Sequence, residues 1–152
     1  MKEVKVAIEG LKELLAVLKG LPDVVQDVAE LQLAIAALDL QGKAQQLAPV
    51  DTGDLRGSAF TITGGRGNIS VDTKADEHPE SARMDLPTAG KLEAYVGFSE
   101  PYALRQHEDM GANHPKRKGK YGVAKYLEIP YKANIDKYIK GISKAIKEAV
   151  EN

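Results

Sequence analysis

A long apolar repeat that ends at a proline constrains the fold of this chain more than any other feature. Between residues 24 and 47, apolar residues recur at intervals of three and four, which predicts one long amphipathic helix. Asp23 stands where its side chain could cap the first turn. At the other end, Pro49 pushes Ala48 out of the α region, so the helix must end there. The fold is therefore expected to be organised around this helix.

The apolar residues of this helix form two neighbouring rows. One row contains Val24, Val28, Leu31, Ile35 and Leu38, and the other contains Val25, Ala29, Leu33, Ala36, Leu40, Ala44 and Leu47. Together the two rows cover a wider arc than packing against one face of a sheet requires. We therefore predict that part of the helix packs against another subunit.

A turn rich in polar residues follows the helix at residues 48–58, which read APVDTGDLRGS. Its polar side chains can bond nearby backbone N–H groups, and Gly53 can adopt the positive φ that most residues resist. Asp54 and Arg56 flank Leu55, which predicts a buried anchor with a charged surround. The junction motif is thus predicted to consist of Pro49, Asp51, Thr52, Gly53, Leu55 and Arg56. An ordinary surface turn is the alternative interpretation.

The remaining pattern predicts a mixed fold. Apolar spacing predicts short helices at 11–18 and near 101–109, and alternating residues predict strands at 3–9, 59–63, 68–73 and 91–99. In a last helix, which begins near Pro130, one face carries Ile135, Ile139, Ile142, Ile146 and Ala149. We expect an α+β fold with an antiparallel sheet of three to four strands, packed on one face by the long central helix and the C-terminal helix.

Length and composition narrow the function. The 152 residues suffice for one domain over residues 1–152, with long loops at 74–90 and 110–122. The absence of cysteine excludes disulfides, thiolate metal sites and a cysteine nucleophile. A net charge of -1 gives no support to general binding of a polyanion. No segment approaches the roughly 20 apolar residues of a membrane span, and the N-terminus does not read as a signal peptide, so we expect a soluble protein.

The chain offers little for catalysis. One group of residues has metal-ligand character: His107, Glu108, Asp109 and His114. Gly111 occupies the position where a zincin helix carries its second histidine, which favours a structural histidine or a partner contact over a metal site. Asp51 and Asp54 lie in a turn, and the serines lack the context of a nucleophile. We therefore predict that the protein is not an enzyme and has no cofactor and no metal.

A basic run stands in the second predicted loop and consists of Lys116, Arg117, Lys118 and Lys120. It could be a solvated loop, it could contact phosphates, or it could dock onto an acidic surface of a partner. Binding of duplex DNA with a strong salt dependence would indicate that the basic run contacts phosphates.

Four stretches share their order and spacing with one family. They are Gly10, Leu11 and Leu14; Ala48 and Pro49; Thr52, Gly53, Leu55, Arg56 and Ser58; and Tyr102, Ala103 and Glu108. In one branch of that family, similar residues continue through His114-Pro115 and from Gly122 to Glu128. In these features the chain resembles the tail-completion or head-tail joining (minor capsid) proteins of long-tailed bacteriophages. It departs from them at Glu108-Asp109-Met110-Gly111, where members often have Glu-aromatic-Gly-Thr, and in the length of the loop at 74–90.

The resemblance implies a structural virion protein at the head-tail interface, assembled in the host cytoplasm. It implies a ring of copies, a hexamer or a multiple of six, between connector and tail-tube or tail-terminator proteins, close to packaged DNA and away from membranes. Partner contacts are expected from Tyr102, Arg105, His107, Glu108, Lys116, Arg117, Lys118 and Lys120. Arg56→Glu is expected to impair assembly more than folding. The first alternative is a DNA-contacting accessory protein that uses residues 116–120. The least favoured alternative is a metal-dependent hydrolase.

Overall fold

A computed structural model describes residues 16–49, 54–65, 70–72, 87–100, 103–111 and 122–152 of the chain. Its helices are α1 (Asp23–Leu47), α2 (Asp54–Gly57), α3 (Ala103–Glu108) and α4 (Glu128–Glu151), and its strands are β1 (Ala59–Thr63), β2 (Ser70–Asp72) and β3 (Ala94–Phe98). Residues 16–19 are also helical. The strand predicted at 3–9 and most of the loops predicted at 74–90 and 110–122 lie outside the described residues.

The strands form an antiparallel sheet in the order β2-β1-β3. β1 pairs with β3 from Ala59, opposite Phe98, to Thr63, opposite Ala94. β1 also pairs with β2, where Thr61 lies opposite Val71, so the predicted hairpin is present. α1 lies against β1 and β3, while α4 contacts α1. The predicted class, helices packed on an antiparallel sheet, is thereby confirmed.

The third predicted strand begins later than its alternating sequence indicated. Residues 91 and 92 form a turn in which Leu92 has a φ of +60° and the Glu93 N–H donates to the Gly90 carbonyl at 3.2 Å. Leu92 is buried with Leu18 and Ala29, so burial of its side chain holds the backbone in a conformation that leucine rarely adopts. Strand pairing therefore starts only at Ala94.

α1 ends where its sequence predicts but begins differently. Ala48 has extended φ and ψ of −61° and 138°, as expected before Pro49. At the start, Pro22 and not Asp23 is the N-cap, and no side chain caps the helix. Asp23 is instead the first helical residue, where its charge still favours the helix dipole. The cap predicted at Asp23 is therefore wrong.

α4 runs antiparallel to α1 and is joined to it by polar contacts. The Tyr138 hydroxyl donates to Asp39 at 2.6 Å, and Lys43 donates to Asn134 at 2.8 Å. Toward the other end of α4, Ile146 packs against the cluster that contains Ala29. The predicted apolar face of α4 is half-buried along this contact, except that Ile139 is exposed. None of the helices in the described part of the chain is long and apolar enough to cross a membrane.

Candidate subunit interface and junction

The junction at the end of α1 is a closed, buried hub. Leu55 of α2 is buried, and a single cluster contains it together with Ala44, Ala48, Ala59, Phe98, Ala103 and Tyr126. These residues come from α1, α2, β1, β3, α3 and the segment before α4. The elements around the junction therefore converge on one core, and the buried anchor predicted at Leu55 is present.

Arg56 uses its guanidinium within its own chain. Its Nε donates to the Ala48 carbonyl at 2.9 Å and its Nη2 to the Gln46 carbonyl at 3.0 Å. The side chain of Gln45 in turn donates to the Arg56 carbonyl at 2.9 Å. The positive charge thus satisfies carbonyls that the end of α1 leaves without helical partners. Burial lowers the pKa of Arg56, but a guanidinium stays protonated.

The chain returns to this junction after the basic loop. The Val123 N–H donates to the Leu47 carbonyl at 3.0 Å, so the segment before α4 is tied to the last residue of α1. Gly122 lies so close to Pro49 that an added Cβ would overlap the proline backbone. Only glycine allows this approach, which fixes the position at which the segment from 122 to 127 crosses the junction.

Tyr126 is the central side chain of the hub. It is 1% exposed, and its hydroxyl donates to the Ala103 carbonyl at 2.8 Å. Its ring meets those of Phe98 and His107 edge to face, with centroids 4.9 and 5.1 Å apart. The bond and the two ring contacts fix α3 to β3 and to the start of α4.

His107 is held from both sides of its ring. It is buried, with Nδ1 2.7 Å from Glu108 Oε1 and Nε2 3.3 Å from the backbone nitrogen of Glu128. Because a backbone N–H can only donate, Nε2 accepts, and the proton is assigned to Nδ1. Lys125 bonds the other oxygen of Glu108, which lowers the pKa of Glu108 and raises that of Lys125. This is the arrangement of a structural histidine.

The described residues do not assemble a metal site around His107. No group of three or more His, Cys, Asp or Glu side chains that could hold a metal ion occurs among them. Asp109 is exposed and accepts a bond from the Gly111 N–H at 3.0 Å, while His114 lies outside the described part of the chain. The donor group considered from sequence is therefore not brought together in the part of the structure that is described.

The structure thus places only some of the predicted site residues. Leu55 belongs to the hub, which Arg56 contacts through the Ala48 carbonyl and His107 through the Tyr126 ring. Pro49 is buried next to it, Glu108 is exposed, and Arg105 is exposed on α3. The others lie outside the described residues: Asp51, Thr52, Gly53, Tyr102, Lys116, Arg117, Lys118 and Lys120.

A continuous apolar stripe covers the outer face of α1. We use "the stripe" for Val24, Val28, Leu31, Ile35 and Leu38. Val24 is 70% exposed, Leu31 57%, Ile35 52% and Leu38 37%, and Val28 is half-buried. The second apolar row is in part deeply buried, for example at Val25 and Ala44. The fold of one chain therefore leaves four large apolar residues of α1 exposed, while Val25 and Leu40 are buried.

Small and polar side chains share the inner face of α1 with Val25 and Leu40. Ala29, Ala34, Ala37 and Ala44 are buried there and allow the sheet to approach closely. Three polar residues share this face: Gln26, Glu30 and Gln41. Each is bonded, and the clearest case is Gln41, whose Oε1 accepts from the Thr61 hydroxyl at 2.5 Å. In an amphipathic helix of a lone globular domain the larger apolar side chains face inward, whereas four of those in α1 face solvent.

Sequence reasoning missed these polar residues of the inner face. Gln26, Glu30 and Gln41 recur with the buried alanines at helical spacing, and that row was the available signal. The partners of Gln41 and Glu30 could not be read from the sequence, because Thr61 lies on β1 and Leu92, whose N–H bonds Glu30 at 3.2 Å, lies in a turn. Gln26 instead donates to the nearby carbonyls of Lys19 and Leu21.

Comparison of the chain with protein-family models, with curated proteins and with solved structures gives no match.

Proposed function

We propose that this chain is a structural protein of a tailed bacteriophage that joins head and tail by assembling with copies of itself and with neighbouring neck proteins. The stripe on α1 is the observation that supports this function best. It is apolar, uncharged and continuous over four helical turns, and the hub leaves it outside the core. Large exposed apolar patches on folded proteins are typical of interaction sites.

Covering the stripe would contribute a useful free energy of association. Complete burial of a Val, Leu or Ile side chain is worth about 1.5–3 kcal/mol. The exposed fraction of the stripe's side chains runs from 70% at Val24 to 37% at Leu38, and Val28 is half-buried. One copy therefore offers on the order of 5 kcal/mol, before the cost of association is subtracted. Contacts of this size become effective when a closed assembly repeats them.

The assembly we propose is a ring, a hexamer or a multiple of six, between connector and tail-tube or tail-terminator proteins. Ring closure requires two different and complementary surfaces on each copy. The exposed residue Arg105 and the basic run at 116–120 are proposed to reach the neighbouring proteins. Catalysis has no part in this function. The sheet is proposed to have three to four strands, since the strand predicted at 3–9 lies outside the described residues.

Uptake onto particles tests this function. Purified protein is mixed with tailed virions that lack it, and native mass spectrometry and particle-bound protein report the stoichiometry. We expect specific uptake in a fixed ratio and recovery of head-tail joining. Leu31→Glu places a charge in the stripe and should reduce uptake. Ile139→Glu places the same charge on an exposed apolar residue of α4, outside the stripe, and is its matched control. Absence of uptake by folded protein would contradict the proposal.

A further inference from the structure

The described sheet has an open side along β3. Among the described strands β3 pairs with β1 alone, and it is the last strand in the order of the sheet. The Ser99 N–H donates to the Ser58 carbonyl at 2.9 Å, so the odd-numbered residues of this stretch bond β1. Because backbone groups alternate along a strand, Ala94, Val96 and Phe98 turn their N–H and C=O groups to the other side. No hydrogen bond from the described residues reaches these groups there.

The open side borders apolar residues that the rest of the fold covers only in part. Phe98 packs in the hub with Ala44 and Ala48, so the even-numbered residues of β3 face α1. Ala94 and Val96 lie on this face and are half-buried. An unpaired edge is a template for a further strand, and native proteins normally cover it. A strand with apolar residues on the side of α1 would bond the free groups and extend this face.

We propose that residues 3–9 of the same chain bind along the open side of β3 as a fourth strand. They read EVKVAIE, with Val4, Val6 and Ile8 at every second position, as in a strand with one covered face. Of the segments outside the described residues, no other has this pattern over the length of a strand. With this apolar row turned to the side of α1, the inner face of the sheet continues past Val96.

The position of Leu18 brings this segment close to β3. Leu18 is buried in one cluster with Leu92, which stands two residues before the first residue of β3. Glu9 precedes Leu18 by nine residues, and a helix of that length spans only about 14 Å. A segment held at such a distance has a local concentration on the order of millimolar. Below that protein concentration, the chain's own segment therefore outcompetes the same segment of a second copy.

Hydrogen exchange measures the coverage of this edge residue by residue. The amides of Tyr95 and Gly97 bond β1 and are the internal control, because they exchange slowly whether or not the edge is covered. We use "the outward amides" for those of Ala94, Val96 and Phe98. In the full chain we expect the outward amides to exchange within about tenfold of the control amides. Faster exchange than this, in alternation along β3, would show an open edge and overturn the proposal.

Two variants identify the segment that covers the edge. Val6→Glu places a charge in the apolar row of residues 3–9 and should speed exchange of the outward amides at least about tenfold, with no change at the control amides. Lys5→Glu places the same charge at the neighbouring position, on the other face of the strand, and should leave all five rates unchanged. Circular dichroism checks that both variants are folded. If Val6→Glu has no effect on the outward amides, another segment covers the edge and the proposal is wrong.

Dilution separates the chain's own segment from that of a second copy. Exchange rates of the outward amides should be equal at two protein concentrations about tenfold apart, because an intramolecular contact does not depend on concentration. Rates that become about threefold to tenfold faster on dilution would show that a second copy supplies the strand. The assignment to the same chain would then be overturned.

The fourth strand belongs to the proposed sheet and does not depend on head-tail joining, so the two proposals can fail separately. Protein that joins particles but has an open β3 edge would retain the head-tail function and remove the fourth strand. A covered edge in protein that no particle takes up would do the reverse.

Discussion

The outer face of α1 and the junction at its end use apolar residues in opposite ways. At the junction, Leu55 and Tyr126 are buried, and the guanidinium of Arg56 is bonded to carbonyls of the same chain. On the outer face, larger residues such as Leu31 stand in water while alanines face the sheet. The difference indicates that the junction stabilises the fold of a single chain, whereas the stripe gains most when a second surface covers it.

The same substitution at the two regions gives the sharpest contrast. Leu55→Ala opens a cavity in the hub and should lower the free energy of unfolding by about 2–5 kcal/mol. Leu31→Ala removes atoms that are more than half exposed and should change it by no more than about 0.5 kcal/mol in the monomer. Urea unfolding at low protein concentration measures both. Equal losses of unfolding free energy in the two variants would contradict the distinction between the junction and the stripe.

Substitution of two glycines tests how tightly the chain at Gly122 packs against Pro49. Gly122→Ala forces a methyl group into the backbone of Pro49 and should destabilise the chain by about 1–3 kcal/mol. Gly141 lies within α4 with nothing near its added Cβ, so Gly141→Ala should stabilise by about 0.5–1 kcal/mol. Thermal unfolding of the two variants should therefore shift in opposite directions. A harmless Gly122→Ala would show that the returning segment is not fixed on Pro49.

The sequence predicts the parts of this fold that local chemistry determines. The end of α1 at Ala48 follows from the steric effect of Pro49 on its neighbour, which no tertiary contact needs to supply. The burial of Leu55 and the β1–β2 hairpin also follow from short-range pattern. The width of the apolar arc on α1 indicated that one chain would not cover it, and the structure leaves the stripe exposed.

Tertiary contacts determine what the sequence did not predict. Leu92 leaves the strand pattern because its burial against Leu18 and Ala29 outweighs its preference for extended backbone. The apolar periodicity of α1 did not show which row faces the sheet, since the answer depends on bonds that Gln41 and Glu30 accept from residues far along the chain. The position of Arg56 over the end of α1 is likewise set by two carbonyls that α2 brings within reach.

Variants of Arg56 test whether this residue of the junction serves folding or assembly. Arg56→Gln leaves the Ala48 and Gln46 carbonyls without a charged donor and should cost about 1–3 kcal/mol of stability. Arg56→Glu should cost at least as much, so we now expect it to weaken folding as well as assembly. Arg105→Gln, at an exposed position on α3, is the control and should leave stability within about 0.5 kcal/mol of wild type. Chemical unfolding measures the stability of both variants. An Arg56→Gln chain as stable as the control would show that Arg56 does not stabilise the fold, and a partner contact would then be its expected role.

The smallest expected effect concerns the bond between Glu108 and Lys125 at the surface of the junction. Bonds from Lys125 and then from His107 hold the pKa of Glu108 below its usual value of 4.5. A carboxyl whose pKa is lowered by folding stabilises the folded state above that usual value, and the contribution is lost as the pH falls through the lower, folded-state pKa. Glu108→Gln should therefore lower Tm slightly near neutral pH, and the difference from wild type should shrink as the pH falls below 4.5.

Tm measured from pH 7 down to about pH 3 tests this prediction, with Glu148→Gln as the matched control. Glu148 is an exposed carboxylate whose Oε1 lies 3.9 Å from Lys144 Nζ, and a pair of that kind contributes little. The control difference should therefore be close to zero throughout. If the Glu108→Gln difference instead persisted into acid, its origin would be the lost shape of the site and not the charge pair. The ion pair would then add nothing to the closure of the junction, and only the buried hub would distinguish this region from the stripe.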